Sequence, residues 1–141
     1  MAVAVKRVYE AASPADGARV LVDRLWPRGL TKEDAAVKFW LRDLAPSKEL
    51  REWFHANPEA WRFFRKRYLK ELVSPEGSVA VEKLYGLAGS GKKLTLLYAS
   101  RNEEHNNAVV LKELLEGARK PPSSVGRGAL GRGRIRKAKK Q

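Results

Sequence analysis

The chain has no cysteine at all and only two histidines in 141 residues. That excludes a disulfide framework, a thiolate zinc site and a cysteine nucleophile, and it leaves too few soft ligands for a transition-metal centre. It suits a reducing compartment or a chain that avoids labile residues, and chooses neither. No apolar run approaches the roughly 20 residues of a membrane span, and the start does not resemble a signal peptide. A cytoplasmic protein with no membrane partner is therefore expected. Acidic residues are missing from one place in particular. Residues 119–141 hold nine Lys and Arg and no Asp or Glu, whereas residues 1–118 hold 20 basic and 16 acidic side chains. Of the net charge of +13, +9 thus comes from the last sixth of the chain and +4 from the rest. A one-sign block of this kind marks an interaction arm rather than part of a core.

What is present fits one domain at residues 1–118. Hydrophobic residues make up 43% of the chain, enough for a real core. Residues 3–9 alternate apolar and basic side chains and predict a first strand. Ser13-Pro14-Ala15-Asp16-Gly17 predicts a turn. Residues 19–23 predict a buried strand that ends in charge at Asp23 and Arg24, then in a Trp26-Pro27-Arg28-Gly29 turn. Thr31 predicts a helix cap, with Glu33 and Asp34 in the first turn. Residues 37–41 suit either strand or helix. Ser47 predicts the cap of a helix whose apolar face holds Leu50, Trp53 and Phe54. Asn57-Pro58 predicts the start of the next helix, with Trp61, Phe64, Tyr68 and Leu72 facing the core. Arg62, Lys66 and Lys70 form a basic ridge on another side, either a solvated face or an accessory phosphate contact. Ser74-Pro75 predicts a break, and residues 79–87 a short helix ended by Gly89-Ser90-Gly91. Residues 94–99 predict the third strand. Asn102-Glu103-Glu104 predicts the opening of a last helix, with Ala108, Leu111 and Leu115 inward and Gly117 as its stop. The expected fold is α/β: a small central, largely parallel sheet flanked by helices. After Gly117 there is hardly any apolar residue. Residues 119–141 are expected to be an extended tail, disordered unless bound.

Four stretches together resemble the DUF488 family, in its YeaO-like branch. They are Val20 through Gly29, Leu44-Ala45-Pro46-Ser47 with Glu49-Leu50-Arg51, Leu94 through Ala99, and His105-Asn106-Asn107-Ala108-Val109-Val110-Leu111. The resemblance spans about residues 5–116 and leaves the tail outside. It implies a compact α/β domain and carries over no catalytic residues and no cofactor.

Several constellations invite chemistry. Gly86-Leu87-Ala88-Gly89-Ser90-Gly91-Lys92-Lys93 nearly spells a phosphate loop. It lacks the Ser or Thr that would hold magnesium, and its order of helix, loop, strand is the reverse of what such a loop needs. Ala99-Ser100-Arg101-Asn102 has strand, loop and helix in the right order. Asp23, Arg24 and Arg28 would share its rim if the two strands are parallel neighbours. The rim of Asp23, Arg24, Arg28, Ser100, Arg101 and Asn102 would then suit a small phosphate- or carboxylate-bearing ligand. The plainer account is an Asp–Arg pair stapling one loop, and Ser100 and Asn102 capping a helix. A triad of Ser100, His105 and Asp23 lacks the strained elbow such a serine needs. His55 lies near a helix end and suits a structural role. Asn106 and Asn107 are either spacers or partners of the 23–28 loop.

The tail carries the strongest functional signal. Arg119, Lys120, Arg127, Arg132, Arg134, Arg136, Lys137, Lys139 and Lys140 alternate with flexible glycine and can follow a phosphate backbone. Extensions of this kind are similar to those of ribosomal proteins. The sequence therefore points to a binding protein whose partner is structured RNA, rRNA in the ribosome foremost, with no feature that demands a homo-oligomer. A localisation signal or an acidic partner would use the same charges. A membrane arm would carry apolar anchors. DNA binding lacks an evident recognition helix. The alternative is an enzyme or ligand-binding domain for a small anion at the rim.

Overall fold

The computed structural model describes residues 3–117. The tail at 119–141, with its nine cations, lies outside the described residues. Four strands form one all-parallel sheet in the order β1-β4-β2-β3, where β1 is Val3–Arg7, β2 Ala18–Leu21, β3 Phe39–Trp40 and β4 Leu94–Tyr98. Val20 pairs in register with Leu96, and Val5 pairs with Leu96 from the other side. A central parallel strand is covered on both faces, so it is apolar throughout rather than alternating. β4 meets that demand but for Thr95: all five of its residues are buried, and the Thr95 hydroxyl is satisfied by donating to the Asp16 carbonyl.

Successive residues on a strand point to opposite faces, and here they divide two cores. Val20, Leu96 and Tyr98 pack with helices α2 (Lys48–Ala56), α3 (Trp61–Leu72), α4 (Pro75–Ala88) and α5 (Asn107–Gly117). Leu21 and Leu97 face the other way, onto Ala35 of the short α1 (Lys32–Ala35), with Trp26 and Trp40 crossing edge to face at 5.4 Å. Aromatic rings link α2 to α3: Phe54 stacks on Phe64 at 4.3 Å. The Tyr68 hydroxyl, fully buried, donates to the Leu44 carbonyl.

Several expected boundaries move for local reasons. Residues 37–41 resolve as the two-residue strand β3. Asn57 ends α2 instead of starting α3, because its side-chain amide donates back to the Trp53 carbonyl at 2.8 Å; α3 starts at Trp61. Ser74-Pro75 is a start as well as a break. The Ser74 hydroxyl accepts the Gly77 amide, Pro75 takes the first position where no donor is required, and α4 begins four residues earlier than expected. Asn102 does not open α5. Its side chain accepts the Glu104 and His105 amides at 3.0 and 2.9 Å, an Asx turn that competes with helix, and α5 starts at Asn107.

Gly17 joins the first 3-10 turn (Pro14–Asp16) to β2 at φ +65° and ψ −138°. A Cβ there would stand 2.3 Å from the Lys93 carbonyl oxygen, which already accepts the Ala18 amide. Gly17→Ala is expected to cost about 2–5 kcal/mol, from a strained dihedral pair plus displacement of a backbone contact. Urea denaturation checks this, and an unchanged midpoint would contradict it.

Candidate functional site

β2 and β4 are parallel neighbours, so the loops after Leu21 and Tyr98 do leave one edge side by side. The first runs to α1 on one face and the second to α5 on the other, which makes their junction a switch point of the kind where α/β sheets bind ligands. In this chain the junction is latched shut by Asp23. One carboxylate oxygen accepts the Ala99 amide at 2.9 Å, and the other accepts from the Asn107 side-chain amide at 3.1 Å. Asn107 also donates to the Val22 carbonyl at 2.8 Å, and Trp40 donates to the Asp23 carbonyl at 2.8 Å. Asn107 is thus a partner of the loop and not a spacer. Asp23 does staple the loop, but through amides; among the described residues it has no arginine ion pair.

The remaining rim residues diverge. Arg24 turns towards β3, with its Nη2 3.4 Å from the Ala45 carbonyl. Arg28 is exposed, and its carbonyl accepts from the Tyr9 hydroxyl at 2.9 Å. The Ser100 hydroxyl accepts the Asn102 amide at 3.1 Å, and Arg101 is exposed. The amides that could have cradled an anion at 102, 104 and 105 are already met by side chains. His105 stacks on Trp61 at 4.5 Å, nearly parallel, so no hydrogen bond joins it to Ser100 or Asp23. Gly86 through Lys93 run from α4 into β4, the order that cannot serve a phosphate loop.

Two groups escaped the sequence. Arg7 donates to the Ser100 carbonyl at 2.9 Å and the Ala99 carbonyl at 3.0 Å, fixing the second loop from the end of β1. Its only sequence signal is an arginine at the end of a strand. At the opposite edge of the sheet Asp16 meets Arg19 at 2.6 Å and Lys6 at 3.1 Å, while Arg19 also donates to the Ala35 carbonyl. The Ser13-x-x-Asp16 spacing of a capping box was the legible hint.

Burial pushes the Asp23 carboxyl above its ordinary value of 3.8, against the pull of the Ala99 amide, the Asn107 side chain and the Arg51 charge. Asp16 moves the other way. Burial would raise it, but the Ser13 amide, Lys6 and Arg19 together hold it below 3.8. The two act in separate windows. A raised folded pKa means the native state holds the proton longer, so Asp23 lowers stability as pH climbs from 3.8 to its raised value. In Asp23→Asn that slope should vanish. The new amide would also set a donor against Asn107, at a cost of about 1–3 kcal/mol. Denaturation of both proteins across pH 3–7 checks this. A difference that stays constant above pH 3.8 would contradict the latch as described.

Among the described residues no three His, Asp or Glu side chains gather as a metal site, and no helix is long and apolar enough to cross a membrane. The family model described as "Inactive DUF488-N3 subclade" matches residues 2–125. The match is wider than the 5–116 stretch that carries the resemblance, and it reaches the first part of the tail. Seven of the nine tail cations lie beyond it. Rv3073c of Mycobacterium tuberculosis is 47% identical over 115 residues, 82% of this chain and 94% of its own. YeaO of Escherichia coli K12 is 44% identical over 117 residues, 82% of this chain and 97% of its own. Both are named as uncharacterised proteins. No solved structure matches the chain. On this match and these relatives, the chain belongs to the DUF488 family, within its inactive DUF488-N3 subclade and akin to YeaO.

Proposed function

We propose that this chain is a non-catalytic RNA-binding protein of the cytoplasm, held on structured RNA, foremost the rRNA of the ribosome. The observation that carries this is the charge division: nine cations and no acid at 119–141. Polycations of this kind bind phosphate backbones by releasing counterions. The outer side of α3 supports it. Arg62, Lys66, Arg67 and Lys70 are exposed there. Beside them Phe63 is 48% exposed and packs at 4.8 Å on Trp53, itself 37% exposed. Exposed aromatic rings among cations offer bases a stacking surface next to phosphate contacts. The subclade's description as inactive and the latched rim both favour binding over catalysis.

Ultraviolet crosslinking of the full chain to rRNA, followed by peptide mapping, tests the interface. Crosslinks are expected at Phe63 or Trp53 and within 119–141. Charge reversal at Arg62, Lys66 and Lys70 together should weaken RNA binding. Crosslinking no stronger than that of an acidic carrier protein would overturn the proposal.

A further inference from the structure

Arg24 leaves β2 beside the end of β3 and lies between two clefts of about 340 Å³ each. Its Nε is buried and has no hydrogen-bond partner among the described residues, and its one contact, to the Ala45 carbonyl, is long at 3.4 Å. A buried donor left unmet costs about 1–3 kcal/mol, which an acceptor arriving at Arg24 would recover. The two clefts differ in sign. One is lined by Asp43, Glu71 and Glu76 as well as Arg24. The other sets Arg42 and Lys83 with Arg24 against the single carboxylate of Asp43, so cations outnumber acids there. None of those three cations is ion-paired among the described residues.

The basic cleft stands at the carboxyl ends of β2 and β3. The chain leaves β2 towards α1 and leaves β3 towards α2, on opposite faces. It is therefore a second switch point, and unlike the first it is open. Its size is at the low end for small-molecule sites and exceeds what an inorganic anion alone would fill. The rest of its wall is apolar. Trp40 lies under the Arg42 guanidinium at 4.8 Å, and Val79 on α4 is largely exposed.

We propose that this cleft binds a small phosphorylated molecule, with Arg24, Arg42 and Lys83 on the phosphate and the organic part along Trp40 and Val79. A phosphate monoester carries about −1.5 to −2 charge at neutral pH and three acceptor oxygens, which matches three donors of this kind. A monocarboxylate would leave the excess of cations unmatched.

The test uses the full chain, with adenosine monophosphate and inorganic phosphate as probes and adenosine as the uncharged control. Calorimetric titration and thermal shift give the readouts. Both phosphates should raise the melting temperature, the nucleotide more, and adenosine should not. Arg42→Glu with Lys83→Glu changes two exposed residues, so the fold survives, as circular dichroism would confirm. It should weaken the nucleotide by about tenfold or more. Arg24→Lys keeps the charge but loses the fork, and should weaken it too. Binding of rRNA separates a free ligand from an RNA phosphate. It should be unchanged in Arg42→Glu/Lys83→Glu. Two results would overturn the proposal: no response to either phosphate at millimolar concentration, or a double variant that loses RNA while nucleotide affinity stays the same.

Discussion

Asp16→Ala is expected to destabilise the protein by about 3–5 kcal/mol, the usual effect of removing one partner from a buried ion pair. Asp16 and Arg19 are both buried, and one Asp16 oxygen takes the Arg19 Nη1 at 2.6 Å and the Ser13 amide at 3.0 Å. Alanine would strand the Arg19 charge in the sheet, where its other donors reach only the Ala35 carbonyl. It would also free Lys6, whose ammonium spans both Asp16 oxygens at 3.1 Å. The same network carries the Thr95 hydroxyl bond to the Asp16 carbonyl, so β1, β2 and β4 all depend on it. Because Asp16 is held below its ordinary value of 3.8, its contribution is present above that pH and is lost as pH falls through the lowered value. The difference between wild type and Asp16→Ala should therefore be large at pH 7 and shrink in acid. Urea melts at several pH values measure it. A loss under about 1 kcal/mol at pH 7 would show that water, not the protein, satisfies Arg19.

Deleting residues 119–141 should leave the α/β domain folded and remove most of its affinity for RNA. The described core closes within residue 115, since Leu115 of α5 is the last buried apolar residue. The deleted segment holds nine of the 29 cations. If about six of them meet phosphates, log affinity of the full chain should change with log salt by roughly −4 to −5. That is a loss of several hundredfold for a fourfold rise in salt. The truncated chain keeps only the exposed cations of α3 and its neighbours, so its slope should be much shallower. Equal slopes would place the phosphate contacts on the domain and leave the tail without a role.

The sheet was legible in the sequence because parallel central strands have to be apolar, and residues 19–23 and 94–99 were too apolar for any exposed place. The inward stripe of Phe64, Tyr68 and Leu72 was legible from its helical spacing. Boundaries set by a side chain bonding back to the backbone were not. Asn57, Asn102 and Ser74 each had the composition of a cap, and only geometry decides whether such a residue closes one helix, opens another or makes a turn. The rim shows the same limit. Placing Asp23 beside the 99–102 loop required only parallel neighbours. That its carboxylate would be consumed by Ala99 and Asn107, while Arg24 turned into another cleft, depends on residues 76 and 84 positions away in the chain or on side-chain direction. The Asp16–Arg19–Lys6 network was hidden for a simpler reason. The Ser13-x-x-Asp16 spacing hints at a capping box but does not tell that Asp16 is buried.

The most direct measurement is sedimentation of the native full-length protein from a cell extract through a gradient, at a series of salt concentrations. The protein is predicted to travel with ribosomal particles at low salt and to leave them over a narrow salt range, with the truncated form leaving first. A protein that stays at the top of the gradient at every salt, with its tail intact, would contradict the proposal that this chain is held on ribosomal RNA.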